Sequence, residues 1–192
     1  MSKSNLKLRR FLTIAMLSSI SFVIMLFNFP LPGFPGFLKI DFSDVPALIA
    51  VITMGPLAGI LVELFKNILE WIFAGAPTGV PVGQMANFAT GVLFILPVYY
   101  IYDKFKTRKG LVISLVVATV VMSVGMAILN YIAFIPMYAY FMNFELKAYE
   151  TIVLGILPFN LLKGAMLFIV VLLLFKTMNK WIEKQREQFL VH

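Results

Sequence analysis

The sequence predicts an all-α membrane protein of six transmembrane helices with both termini in the cytoplasm, and three observations carry that reading. The composition is more apolar than a soluble domain can hide: 61% of the 192 residues are hydrophobic and 13% charged, against about 45–50% apolar in ordinary soluble domains. The mean hydropathy is +0.94. Apolar runs near 11–29, 45–74, 85–102, 111–135 and 151–175 reach or approach the roughly 20 residues that cross a hydrocarbon core of about 30 Å. Finally, twelve of the sixteen Lys and Arg gather in three clusters outside those runs, and the positive-inside rule places all three in the cytoplasm.

Each element follows from these observations in turn. The first run begins after a basic start, lacks a small-residue cleavage site and leads into a Pro-rich loop, so it is a retained helix over 11–29 rather than a signal peptide. The basic clusters are Lys3, Lys7, Arg9 and Arg10; Lys104, Lys106, Arg108 and Lys109; and Lys176, Lys180, Lys184 and Arg186. An even number of crossings must separate the first cluster from the second. Only three runs lie between them, so the middle run must cross twice. Met54-Gly55-Pro56 is the turn signal inside it, which gives helix 2 over 44–54 running inward and helix 3 over 56–74 running outward. Helix 4 follows at 85–102, and helices 5 and 6, at 110–135 and 151–175, join the second cluster to the third. One multi-pass domain over 1–192 in the cell membrane results, with no internal repeat. Loops 30–41, 75–83 and 136–150 lie outside. The first two, PLPGFPGFLKID and GAPTGVPVG, are dense in Pro and Gly, which fix turns.

Polar side chains inside spans need a reason, because a mid-helix Lys costs about 2.5–3.5 kcal/mol on insertion scales. On helix 3, Glu63, Lys66, Asn67 and Glu70 share one face by their i, i+3, i+4, i+7 spacing, and the opposite charges are expected to pair within the helix. Helix 4 carries Gln84 and Asn87, helix 5 Asn130, and helix 6 Asn160 with Lys163 one turn later. Given the topology, Asn87 and Asn130 lie near the outer side, and Asn160 and Lys163 about 13–18 Å below the outer end of helix 6. This uncompensated polarity predicts an outward-opening, partly polar pocket capped by the first and third helix-connecting segments. Lys163 has no acid one turn away on its own helix, so its acceptor must come from elsewhere. Phe29, Phe34 and Phe37 of the first loop are candidates to close over a flat hydrophobic ligand.

Several functions are excluded by inventory. The only His is His192 and there is no Cys, which removes disulfides, Cys-ligated metal, a His metal site within the spans and a Ser/His dyad. The chain therefore lacks the residues of an enzyme. No GxxxxGK[ST] loop occurs, so the chain does not itself use ATP through such a site. The formal net charge of +7 sits at span ends, where lipid and orientation explain it and nucleic acid is not required.

Three segments carry a resemblance: FPLPGFPGFLKIDFSDVPAL at 29–48, PVGQMANFATG at 81–91 and LPFNLLKG at 157–164. In them the chain resembles the riboflavin-specific substrate-binding component of energy-coupling factor transporters, the RibU type. The resemblance implies a membrane subunit that binds riboflavin from outside with high affinity and delivers it when joined to a transmembrane coupling subunit and two ATPase subunits, with riboflavin as cargo and no cofactor. It implies ligand contacts from Asn160 and Lys163, from Asn130, from the first loop at Phe37, Leu38, Lys39 and Asp41, and from Thr78, Gly79, Gly83, Gln84 and Asn87. It also implies a small-x-x-x-small surface on helix 1 for the coupling subunit, here Ala15 with Ser19, where the family typically has Ala at both ends. Serine is still small enough for close helix approach.

The residues themselves fit riboflavin without selecting it. A tricyclic ring suits an aromatic and Met-lined slot, its pyrimidine edge suits amides that donate and accept, and a polyol tail suits the remaining polar groups. Composition admits thiamine or biotin nearly as well. The alternative class is a stand-alone ion-coupled secondary transporter of a small aromatic metabolite or other vitamin, with Glu63, Lys66 or Glu70 as its coupling group.

Overall fold

The computed structural model describes residues 3–76, 79–142 and 147–190. It is helical almost throughout. Helix α1 spans Lys3–Leu26, and a loop with a two-residue antiparallel pairing of β1 (Phe29–Pro30) and β2 (Lys39–Ile40) leads to α2 (Asp44–Met54). Then come α3 (Pro56–Ala74) and α4 (Val82–Phe105), followed by two long helical stretches, α5 (Arg108–Met142) and α6 (Ala148–Leu190). Among the described residues, four of the six helices, α1, α4, α5 and α6, are long and apolar enough to cross a membrane, as an all-α membrane protein requires.

The turn between α2 and α3 lies at Gly55, as its sequence signal predicts. Gly55 has φ 90°, a conformation that L side chains avoid, and Pro56 opens α3 at a position that has no N–H to satisfy. The consequence of the early turn is a short α2. Its 11 residues reach only about 16 Å at 1.5 Å per residue, roughly half of the about 30 Å hydrocarbon thickness. Ten of those residues are buried, because α2 stands in the middle of the bundle against α1, α3, α4 and α6. The chain from Phe29 to Ser43 must therefore descend into the bundle to reach it. Ile40, Asp41 and Ser43 are accordingly buried.

The three basic clusters meet at one end of the bundle. Arg9 donates to Gln185 Oε1 at 3.3 Å and lies over the Phe189 ring, Arg10 donates to the Met54 carbonyl at 2.6 Å, and Arg186 pairs with Asp103. This is the arrangement that an even number of crossings between clusters requires. Single cysteines placed in the cysteine-free chain at Thr107 and at Pro32 are expected to label from opposite faces of intact cells, Pro32 from outside. Labelling of both from one face would overturn the assigned orientation.

The third outer loop is shorter than the sequence suggests. Pro136 was expected to lie in a loop over 136–150, yet α5 runs on to Met142 and α6 begins at Ala148. Each helix accommodates a proline by widening just before it: a π-helical stretch covers Asn130–Phe134 ahead of Pro136, and another covers Thr151–Ile156 ahead of Pro158. Proline removes an N–H and crowds the carbonyl four residues back, and a π-turn relieves both. Helix 4 is also longer than 85–102, spanning Val82–Phe105.

Candidate ligand-binding site

The half of the bundle that α2 does not reach contains a cavity of about 380 Å³, at the end opposite the basic clusters. Its floor and walls come from the first loop and from every helix except α2. The end of α1 gives Met25, and Asn28 follows just beyond it; the first loop gives Gly36, Phe37, Leu38, Lys39 and Asp41; and α3 gives Glu70. From α4 come Gly83, Gln84, Ala86, Asn87 and Thr90, from α5 Met126, Asn130, Tyr138 and Met142, and from α6 Phe159, Asn160 and Lys163. Of the expected ligand residues, Asn130, Asn160, Lys163, Lys39, Asp41, Phe37, Leu38, Gly83, Gln84 and Asn87 surround this one cavity. Gly79 is not among its lining residues, and Thr78 lies outside the described residues.

Five side-chain amides line the space, and the fold orients several of them. Asn130 Nδ2 donates to the Met126 carbonyl and Asn160 Nδ2 to the Ile156 carbonyl, each at 2.8 Å. Both bonds turn back onto the residue's own helix beside a π-turn. Each amide oxygen remains a potential acceptor toward the cavity. Gln84 is held by Glu70 and by the Gly75 carbonyl, which ties the start of α4 to the end of α3. Asn87 Nδ2 approaches Asp41 Oδ2 at 3.4 Å, while its buried Oδ1 has no partner among the described residues.

Apolar and aromatic groups complete the walls. Phe37 stacks obliquely on Tyr138 with ring centroids 5.2 Å apart. Of the three first-loop phenylalanines expected to cover a ligand, Phe37 alone lines the cavity. Phe34 instead packs edge-on against Phe159 at 5.7 Å, pinning the loop to α6, and Phe29 takes part in the short β pairing.

Lys163 finds its acceptor across the bundle. Its ammonium lies 2.9 Å from Asp44 Oδ2 and 3.7 Å from Asp41 Oδ2. Asp44 was not among the residues singled out in the sequence. The available signal was its position three residues after Asp41, at the head of the short apolar run. Lys66 does pair within α3, with Glu63 at 2.8 Å, as expected, but it also reaches Asp44 Oδ1 at 2.5 Å. Glu70 does not join it and pairs with Gln84. Ala15 and Ser19 lie on an exposed face of α1, where the Ser19 hydroxyl donates to the Ala15 carbonyl at 3.0 Å and so presents a small surface without a free polar group.

A family model for the ECF transporter substrate-specific component matches residues 9–175. The chain belongs to this family. It is a membrane transporter component and not an enzyme. The S component described here is 49% identical over 185 residues to the riboflavin transporter FmnP of Bacillus subtilis (strain 168), across 94% of this chain and 97% of that one. It is 42% identical over 179 residues to the riboflavin transporter RibU of Staphylococcus aureus (strain TCH60), across 92% and 93% of the two chains. A solved structure of the S component of a bacterial ECF transporter shares its fold with a TM-score of 0.79 at 40% identity, covering 92% of this chain and 98% of that one.

Proposed function

We propose that this S component binds riboflavin in the outer cavity with high affinity and releases it inward when joined to a transmembrane coupling subunit and two ATPase subunits. The observation that carries the reading is the lining of the cavity. Its about 380 Å³ falls in the range of sites for small organic ligands. It combines Phe37, Tyr138, Met25, Met126 and Phe159 with five amides and the Lys163–Asp41 pair. A flat ring system is satisfied by the first set, and alternating carbonyl and imide groups by the second, since amides both donate and accept. The names of the relatives reported above support riboflavin over other flat vitamins. Ala15 and Ser19 are the proposed contact for the coupling subunit.

A stand-alone ion-coupled transporter needs a titratable group free to exchange its ion beside the cargo; of the three candidates, Glu63 and Lys66 are absent from the cavity lining, and Glu70, which does line it, is held by Gln84. Liposomes holding the chain alone are expected to accumulate no riboflavin under a proton or sodium gradient.

Asn160 separates binding from folding, because among the described residues its side chain hydrogen-bonds only the carbonyl of Ile156, within its own helix. Asn160→Ala is expected to weaken riboflavin binding by about 1–3 kcal/mol, roughly five- to 150-fold, with yield and melting temperature retained. Equilibrium titration with riboflavin is the measurement. A parent chain that does not bind riboflavin would overturn the assignment, and unchanged affinity in Asn160→Ala would remove Asn160 from the site.

A further inference from the structure

From the cavity wall a chain of alternating charges runs into the bundle, and three of its five members, Asp44, Lys66 and Glu63, do not line the cavity. Glu63 pairs with Lys66 at 2.8 Å, Lys66 with Asp44 Oδ1 at 2.5 Å, Asp44 Oδ2 with Lys163 at 2.9 Å, and Lys163 with Asp41 at 3.7 Å. All five side chains are almost fully buried. Of these, only Asp41 and Lys163 line the cavity. Lys66 is also bonded to Ser43 Oγ at 2.9 Å, and the same hydroxyl donates to Asp41. At the far end, Glu63 packs on Gly91 of α4, where a Cβ would overlap its carboxylate.

The connectivity makes Asp44 a bridge between two ammoniums, one on each carboxylate oxygen. Lys66 therefore sets where Asp44 stands, and Asp44 sets where the Lys163 ammonium stands against the cavity. Through Ser43, Lys66 also steadies Asp41, the second partner of Lys163. In a water-poor interior such pairs hold their geometry closely, because a displaced charge finds no solvent to replace its partner. We propose that Lys66 and Asp44 are positioning residues: without touching the ligand, they set the affinity of the site by fixing the Lys163 ammonium at the cavity wall. This role rests on the riboflavin reading given above.

The test is a mutant cycle on riboflavin affinity, measured by equilibrium titration of the full chain. Glu63→Gln/Lys66→Met removes one charge of each sign and leaves Asp44 bound to Lys163 alone, and it is expected to bind about tenfold more weakly, within the range by which contacting residues couple. Lys163→Arg retains the cation but replaces a compact ammonium with a planar fork, so the fixed position is already lost. In that background the Glu63/Lys66 change is expected to weaken binding by less than about twofold more. In an Asn130→Ala background, where the altered group lies on another helix, its full factor of about ten should persist. A general loosening of the bundle would instead lower affinity by the same factor in both backgrounds, and that result overturns the proposal, as does parental affinity in Glu63→Gln/Lys66→Met. If that pair yields no folded protein, Asp44→Glu supplies the test, because it retains every charge while lengthening the bridge by one methylene. It should also bind about tenfold more weakly and show the same dependence on Lys163. Failure of the parent to bind riboflavin would remove the functional assignment and this role with it, whereas a binding parent with unaffected variants removes the role alone.

Discussion

Lys163→Met is expected to destabilise the protein by about 3–5 kcal/mol, the range for removing one partner of a buried ion pair. The residue is 2% exposed and neutralises two carboxylates at once, Asp41 and Asp44. Removing it leaves Asp44 with Lys66 alone and leaves Asp41 with no ion-pair partner among the described residues. The sequence requires an acceptor for Lys163 from outside its own helix, and the structure supplies two across the bundle, so the cation is tied to the fold as well as to the cavity. Thermal unfolding in detergent, with and without riboflavin, is the check. A large fall in melting temperature with Lys163→Met beside a small one with Lys163→Arg is the expected pattern, and a parental melting temperature for Lys163→Met would show that the carboxylates need no cation at this depth.

Ala15→Leu is expected to leave riboflavin affinity unchanged and to lower transport by the assembled importer about five- to thirtyfold, as the loss of about 1–2 kcal/mol of helix–helix contact implies. Ala15 and Ser19 are exposed on α1, one residue round the helix from Ile14 and Ser18, which face the bundle and are buried. Neither Ala15 nor Ser19 lines the cavity, so bulk added there should not reach the ligand. A leucine on the proposed contact would keep the coupling subunit's helix at a distance and forfeit close backbone packing. Uptake by the reconstituted complex, measured beside binding by the isolated chain, decides the matter. Full uptake would mean that this face meets only lipid, and a parallel loss of binding would mean that α1 shapes the cavity.

Much of the site was legible in the sequence because it is spelled by polar residues inside apolar runs. Asn130, Asn160 and Lys163 stand out where hydrocarbon is expected, and each lines the cavity. Phe37, Leu38, Lys39 and Asp41 entered through the resemblance of the first loop, and they too line it. Met25, Met126 and Phe159 were missed because an apolar residue in a span carries no signal of its own, and Tyr138 because the sequence places it in the loop over 136–150, whereas α5 runs on to Met142. Whether it faces lipid, a neighbour or a ligand depends on helix rotation. Phe34 shows the converse, an aromatic of the right loop that packs on Phe159 instead.

Span length, charge clusters and the Gly55-Pro56 turn are properties of contiguous residues, so hydropathy, the positive-inside rule and turn chemistry determine the six-helix architecture without a fold. The same reading misplaced the end of α5, since the relief of a proline by a π-turn depends on local backbone rearrangement rather than on residue type. What only the tertiary structure decided is the pairing of Lys163 with Asp44 and the chain of charges behind it. That pairing arises because α2 stops halfway through the bundle, obliging the first loop to descend and deliver Asp41, Ser43 and Asp44 to the depth of Lys66 and Lys163. Ion pairs between distant segments depend on depth and rotation in three dimensions, and neither quantity is carried by spacing along the chain.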